Sequence, residues 1–269
     1  MDDEFFILND KIDVVGKMNI SDIYKEAPQP LAFIRNLETN KRIAIKTAPI
    51  KMVMLGIPNI SSYYPTDCNR QFIRIPLDEN QPSCAHLKTI LDEINKYLDT
   101  NEMKRHLFGR RYDKYEYLPS IRTPCLTDDS DDDCPRKPVK QKIFDYCKVK
   151  IISKKEFTER YGIANYTVIK RNGVDVETNT MTDIAKYIRF GSICEFKIVL
   201  SKVWANKSMM QGASHALYGL GLNMKEINIV DSFPKIPFQP LFNLADIKDA
   251  YKKHMVEKKR SPKKRIIQV

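Results

Sequence analysis

Three segments of the chain alternate apolar and polar residues with a period of two. They are Arg42-Ile43-Ala44-Ile45-Lys46, Arg70-Gln71-Phe72-Ile73-Arg74-Ile75 and Phe144-Asp145-Tyr146-Cys147-Lys148-Val149-Lys150-Ile151. In a strand, successive side chains point to opposite faces. One face then collects Ile43, Ile45, Ile73, Ile75, Cys147, Val149 and Ile151, a set suited to a core. Asp145 falls on that side of the third segment. The opposite face collects Arg42, Lys46, Arg70, Phe72, Arg74, Phe144, Tyr146, Lys148 and Lys150, which are cations and rings with no carboxylate. Cations suit phosphates, and flat rings suit unstacked bases.

The same patterning places the other elements. Short apolar runs at 31–36 and 50–55 read as strands, with a turn at Glu38-Thr39-Asn40-Lys41. After Ser83, a candidate N-cap, Leu87, Ile90, Leu91, Ile94, Tyr97 and Leu98 recur at helical spacing and predict a helix over about 84–99. A second helix is expected at 102–108, followed by a basic and aromatic stretch that holds Arg110, Arg111, Tyr112, Lys114, Tyr115 and Tyr117. Asn172-Gly173 signals a hairpin between strands at 165–171 and 174–177. Thr182-Asp183 is expected to cap a short helix at 184–190. A long strand at 193–204 has apolar residues on both faces and reads as central. Two further strands are expected at 217–222 and 227–230, and a helix at about 244–256. Strands outnumber helices, so the expected fold class is β-rich α+β, with a small Greek-key barrel as the natural core.

Composition changes the picture at two places. A Pro-flanked acidic block occupies 126–138, with Asp128, Asp129, Asp131, Asp132 and Asp133, and reads as a solvated insertion or linker. The last residues, from Tyr251 on, carry eight basic side chains and one acid, and so supply +7 of the formal net charge of +11. This tail reads as a nuclear import signal or a phosphate-binding arm. The expected division is a core over 1–231 and a Pro-rich segment, helix and basic tail over 232–269. The six cysteines form no C-x-x-C pair, and no apolar run approaches a membrane span of about 20 residues. The chain therefore reads as intracellular and reduced, with no membrane partner and no secretion signal.

Catalytic motifs are weak. No phosphate loop is present, and Gly219-Leu220-Gly221 lacks the third glycine of a dinucleotide site. Gly212-Ala213-Ser214-His215-Ala216 ends in Ala where a nucleophile elbow needs Gly. Cys84-Ala85-His86 and Cys125 with Cys134 do not have zinc-finger spacing. No cofactor is expected, and no enzyme.

The second half resembles the single-stranded-DNA-binding proteins of large eukaryotic DNA viruses, of the asfarvirus and poxvirus kind. The resemblance covers about 140–230. It lies in the alternating strand Lys148-Val149-Lys150-Ile151, the hairpin Thr167-Val168 to Asn172-Gly173 and the short helix Asp183–Ile188. Gly191-Ser192 then leads into a strand ending Val203-Trp204, and Gly212 precedes another strand. The resemblance implies an OB-like core with a helical insertion, a role in viral DNA replication, recombination or repair at the host nucleus or a viral replication site, binding without sequence preference, and no catalysis. The basic tail differs from relatives that end acidic or neutral.

Taken together, the residues point to single-stranded nucleic acid as partner. Phosphate contacts are assigned to Arg42, Lys46, Arg70, Arg74, Arg110, Arg111, Lys148, Lys150, Lys170, Arg171 and Lys202. Base stacking is assigned to Phe72, Tyr115, Tyr117, Phe144, Tyr146 and Trp204. RNA and self-association along the strand stay open. Two other classes stay open as well: a viral scaffold protein that holds the genome by its tail, and a metal-dependent nuclease that uses the acidic block.

Overall fold

A computed structural model describes residues 5–8, 14–124, 144–154, 166–209 and 212–231. The acidic block, the helix expected at 244–256 and the basic tail lie outside these residues.

Two long antiparallel strands form the spine, β12 (Ile193–Ala205) and β13 (Ala216–Asp231). The free edge of β12 takes three short antiparallel strands in turn: β5 (Ile50–Lys51), β4 (Arg42–Lys46) and β3 (Leu31–Asn36). The free edge of β13 takes β7 (Tyr115–Leu118), β9 (Tyr146–Lys150) and β10 (Val168–Arg171), all parallel to it. Beyond β9 lie β6 (Phe72–Pro76) and β8 (Ile121–Arg122), both antiparallel to it. The sheet is completed by β1 (Phe5–Leu8) on β4, β2 (Met18–Ile20) on β3 and β11 (Val174–Asp175) on β10. The result is an open, mixed, β-rich sheet with a few helices. Irregularities after Ile193, Lys197 and Leu200 break the β12–β13 register, and such bulges bend a strand and sharpen its twist.

The strands expected at 217–222 and 227–230 are one continuous strand. Polar Asn223, Lys225 and Glu226 interrupt the apolar pattern, yet β12 pairs with β13 on both sides of them. The Asn172-Gly173 turn forms as expected, with both residues at positive φ (50° and 81°), the geometry that favours these two residue types.

Helix α1 (Pro82–Leu98) buries Cys84, Leu87, Ile90, Leu91, Ile94 and Leu98 in the core formed with Ile73, Ile75, Cys147, Val149 and Tyr218. Its N-cap is Gln81 rather than Ser83, because Pro82 takes the first helical position, where a missing N–H costs nothing. Gln81 ties the helix start to β5, donating from Nε2 to the Lys51 carbonyl and accepting from the Lys51 N–H. Helix α2 (Asn101–Phe108) follows at once. The third helix, α3 (Met181–Tyr187), starts earlier than expected. Thr180 is its N-cap, and Asp183 closes a capping box. The Lys186 ammonium, and then the Thr180 hydroxyl, hold the Asp183 carboxyl down at about 2.

Tyr218 is fully buried and donates to the Leu98 carbonyl at 2.6 Å, which satisfies one of the orphan carbonyls at the end of α1. Burial pushes the thiols of Cys84, Cys147 and Cys194 up to about 11, 12 and 12. These are inert core side chains.

Candidate nucleic-acid interface

The face of the sheet opposite α1 carries the cations. The β6–β9 register pairs Phe72 with Lys150, Arg74 with Lys148 and Pro76 with Tyr146, while β8 brings Arg122 opposite Tyr146. Cross-strand pairs on one face stand close enough to interact, and the side chains here do. The Lys148 ammonium lies 3.8 Å from the Phe72 ring centroid. The Arg74 guanidinium lies 5.8 Å from the Phe72 ring and 5.6 Å from the Tyr146 ring. Tyr64 meets Phe72 edge-on at 5.7 Å and accepts a hydrogen bond from Arg74 at 3.3 Å.

The charges in this cluster are of one sign. Although Lys148 is exposed as a residue, its ammonium rests on a ring. Loss of solvent there, followed by the fields of Arg122 and Arg74, lowers its pKa below the ordinary lysine value. Lys202, on β12, is lowered in the same way, by loss of solvent and then by Lys150. Among the described residues, none of Arg122, Lys148, Lys150 and Lys202 is ion-paired with a carboxylate. Gathering like charges costs free energy, and a bound polyanion offsets it.

Several residues assigned from sequence stand elsewhere. Arg70 is 4% exposed and sits in a 3₁₀ turn, Asp67–Arg70, ahead of β6. The turn breaks the period of two and rotates the guanidinium inward. There it donates to Asp67 at 2.7 Å, to the Pro58 carbonyl at 2.9 Å and to Thr182 at 2.7 Å, joining the start of β6 to α3. Its donors are engaged in this framework. Phe72 is 5% exposed, with the Lys148 ammonium over its ring and Tyr64 at its edge. Tyr117 is also buried, and its hydroxyl donates to Asn95 at 2.8 Å. Lys170 is held by Glu226 at 2.8 Å.

The remaining assignments fall into separate places. Arg42 and Lys46 are exposed on β4, where Lys46 pairs with Lys197 and both Lys197 and Lys225 point at the Phe5 ring. Exposed Arg171 adjoins the β10–β11 turn. Arg110 and Arg111 are exposed in the 3₁₀ segment Gly109–Lys114 that leads into β7. Tyr115, half-buried, has one face stacked on Phe108 at 3.7 Å. Phe144 is half-buried just ahead of β9. Trp204 is half-buried on β12, two residues from Lys202 and opposite Gly219.

Sequence reasoning missed Arg122, Tyr64 and Phe33. The first lies in a two-residue strand and the second in a loop, so neither had a periodic pattern to mark it. Phe33 was visible as the residue out of phase with buried Ala32 and Ile34 on β3, and it is 51% exposed.

No family model matches the chain. A protein of Acanthamoeba polyphaga mimivirus, "Uncharacterized protein R505", is 27% identical over 240 residues, covering 78% of this chain and 58% of that protein. The chain thus spans less than two thirds of this viral relative. Among solved structures, gp2.5, a single-stranded DNA binding protein encoded by bacteriophage T7, is 10% identical, with a TM-score of 0.38 over 85% of this chain and 100% of that one. The single-stranded DNA-binding protein from bacteriophage Enc34 is 11% identical, with a TM-score of 0.31 over 86% and 99%. No helix among the described residues is long and apolar enough to cross a membrane.

Proposed function

We propose that the chain binds single-stranded nucleic acid, without sequence preference and without catalysis, on the cationic face of β6, β8 and β9. The observation that carries this reading is the cluster of Arg74, Arg122, Lys148 and Lys150 around Phe72, Tyr64 and Tyr146, with no carboxylate paired to Arg122, Lys148 or Lys150 among the described residues. The cations take phosphates and Tyr146 takes a base. An OB-like arrangement of the bent sheet, single-stranded DNA as the natural ligand, and a role in viral DNA replication, recombination or repair belong to the same reading.

The test is a competition between oligo-dT, the matching duplex and oligo-U at two salt concentrations. Oligo-dT is expected to bind tightest, with affinity falling steeply as salt rises. Equal or tighter binding of the duplex overturns the reading.

The lowered lysines add a pH signature. Lys148 and Lys202 lose their protons at lower pH than ordinary lysines do. Oligo-dT affinity is therefore expected to begin falling on the alkaline side before a site of ordinary lysines would. Lys148→Arg keeps its charge, and a fluorescence titration should find its decline displaced to higher pH. Folding stability moves the other way. Between the folded and unfolded lysine pKa values the unfolded chain holds more protons, so these two groups make stability rise with pH through that window.

A further inference from the structure

A line of residues crosses the cationic face obliquely, stepping two residues along β13 from Asn223 to Gly221. Phe72 on β6 pairs with Lys150 on β9, Lys150 with Asn223 on β13, Gly221 on β13 with Lys202 on β12, and Lys202 with Phe33 on β3. Five strands about 4.8 Å apart, with a step of about 7 Å along β13, make this line about 20 Å long. Beside it, Trp204 pairs with Gly219 on one side and Leu31 on the other.

The two glycines shape the surface here. A Cβ on Gly219 would stand 2.9 Å from the Leu118 carbonyl oxygen and 3.0 Å from Trp204 Cζ2, and one on Gly221 would stand 2.9 Å from Ser201 Oγ and 3.2 Å from Lys202 Cγ. Because β13 has no side chain at these positions, the Trp204 ring, the Ser201 hydroxyl and the Lys202 stem lie close against it. Lys202 is thereby brought within the field of Lys150. Lys202 Nζ donates a long hydrogen bond, 3.4 Å, to Gln29 Oε1.

Resting on the nucleic-acid reading above, we infer that the bound strand runs across the sheet from β9 to β3, with one phosphate between Lys150 and Lys202 and the following bases stacked on Trp204 and Phe33. Two cations on one face, within each other's field, take a phosphate from both sides. The rings beside them lie where the next bases fall, and Phe33 is 51% exposed.

Trp204 is the single tryptophan of the full chain, so its emission reports this site alone. Oligo-dT is expected to quench Trp204, whereas inorganic polyphosphate, which offers phosphates without bases, is expected to compete for the site without quenching. Phe33→Ser, a change at an exposed position, is expected to weaken oligo-dT binding by about 5- to 150-fold, the range for loss of one stacked base, with Phe33→Tyr restoring it. If oligo-dT binds with its full salt dependence but Trp204 emission does not change, the path is wrong and the functional reading stands. If quenching occurs but Phe33→Ser binds normally, the crossing to β3 is wrong. If the unaltered protein does not bind oligo-dT at all, the functional reading fails and takes the path with it.

Discussion

Replacing Lys148 and Lys150 together by Ala is expected to flatten the salt dependence of oligo-dT binding. Each phosphate neutralised on a single strand contributes about −0.7 to the slope of log K against log salt, so losing two contacts changes the slope by about 1.4. The same relation sets the size of the effect at each salt concentration. Affinity falls about 25-fold at about 0.1 M salt, but only about 3-fold at about 0.5 M. Tyr146→Leu makes the contrasting case. It removes a ring and no charge, so its line lies below that of the unaltered protein and parallel to it, lower by about 5- to 150-fold. The measurement is a set of oligo-dT isotherms over a range of salt. Parallel lines for both variants would mean that the lysines and the ring are not divided between phosphates and bases.

The second large effect falls on stability. Arg70→Met keeps much of the side-chain volume but removes the donors to Asp67, the Pro58 carbonyl and Thr182. The carbonyl is left unpaired in the interior and the link between the start of β6 and α3 is cut. A loss of about 2–4 kcal/mol is expected, between the cost of an unmet buried hydrogen bond and that of a broken buried ion pair. Asp67 is partly exposed, which keeps the figure below the extreme.

The loss has a pH signature. Burial alone would raise the Asp67 carboxyl, but the bonds from Arg70 and Thr182 outweigh it and hold the group below 3.8. A carboxyl depressed in the folded state contributes stability above its unfolded pKa and loses it as pH falls through the folded value. The gap between Arg70→Met and the unaltered protein is therefore expected to be full at neutral pH and to narrow in strong acid, as read by urea unfolding. Below its melting range the variant should bind oligo-dT with an unchanged salt slope. A flattened slope would return Arg70 to the phosphate contacts and remove it from the framework.

Residues Arg70 and Arg74 show how far periodicity carries. Both stand four apart in one alternating run, and a strand puts them on one face. Arg74 obeys, because β6 is extended there. Arg70 does not, because Asp67, three residues earlier, offers it a partner inside a 3₁₀ turn. Whether an ion pair between near neighbours outcompetes extension depends on Pro58 and Thr182, which are distant in sequence. Phe72 follows the same logic. Its side of the strand was legible, but its roof of Lys148 and Tyr64 comes from another strand and from a loop.

The sequence by itself determined the elements whose causes are local. Helix α1 follows from apolar spacing, the β10–β11 turn from Asn172-Gly173, and the inward set Ile73, Ile75, Cys147 and Val149 from alternation. It also determined that one face of β6 and β9 would gather cations and rings, since a period of two requires it. The tertiary structure alone decided which of those groups meet. Strand partners are chosen by packing between segments far apart in the chain, so the nearness of Lys150 to Lys202, the lie of Trp204 against Gly219 and the arrival of Arg122 beside Tyr146 had no local signal to read.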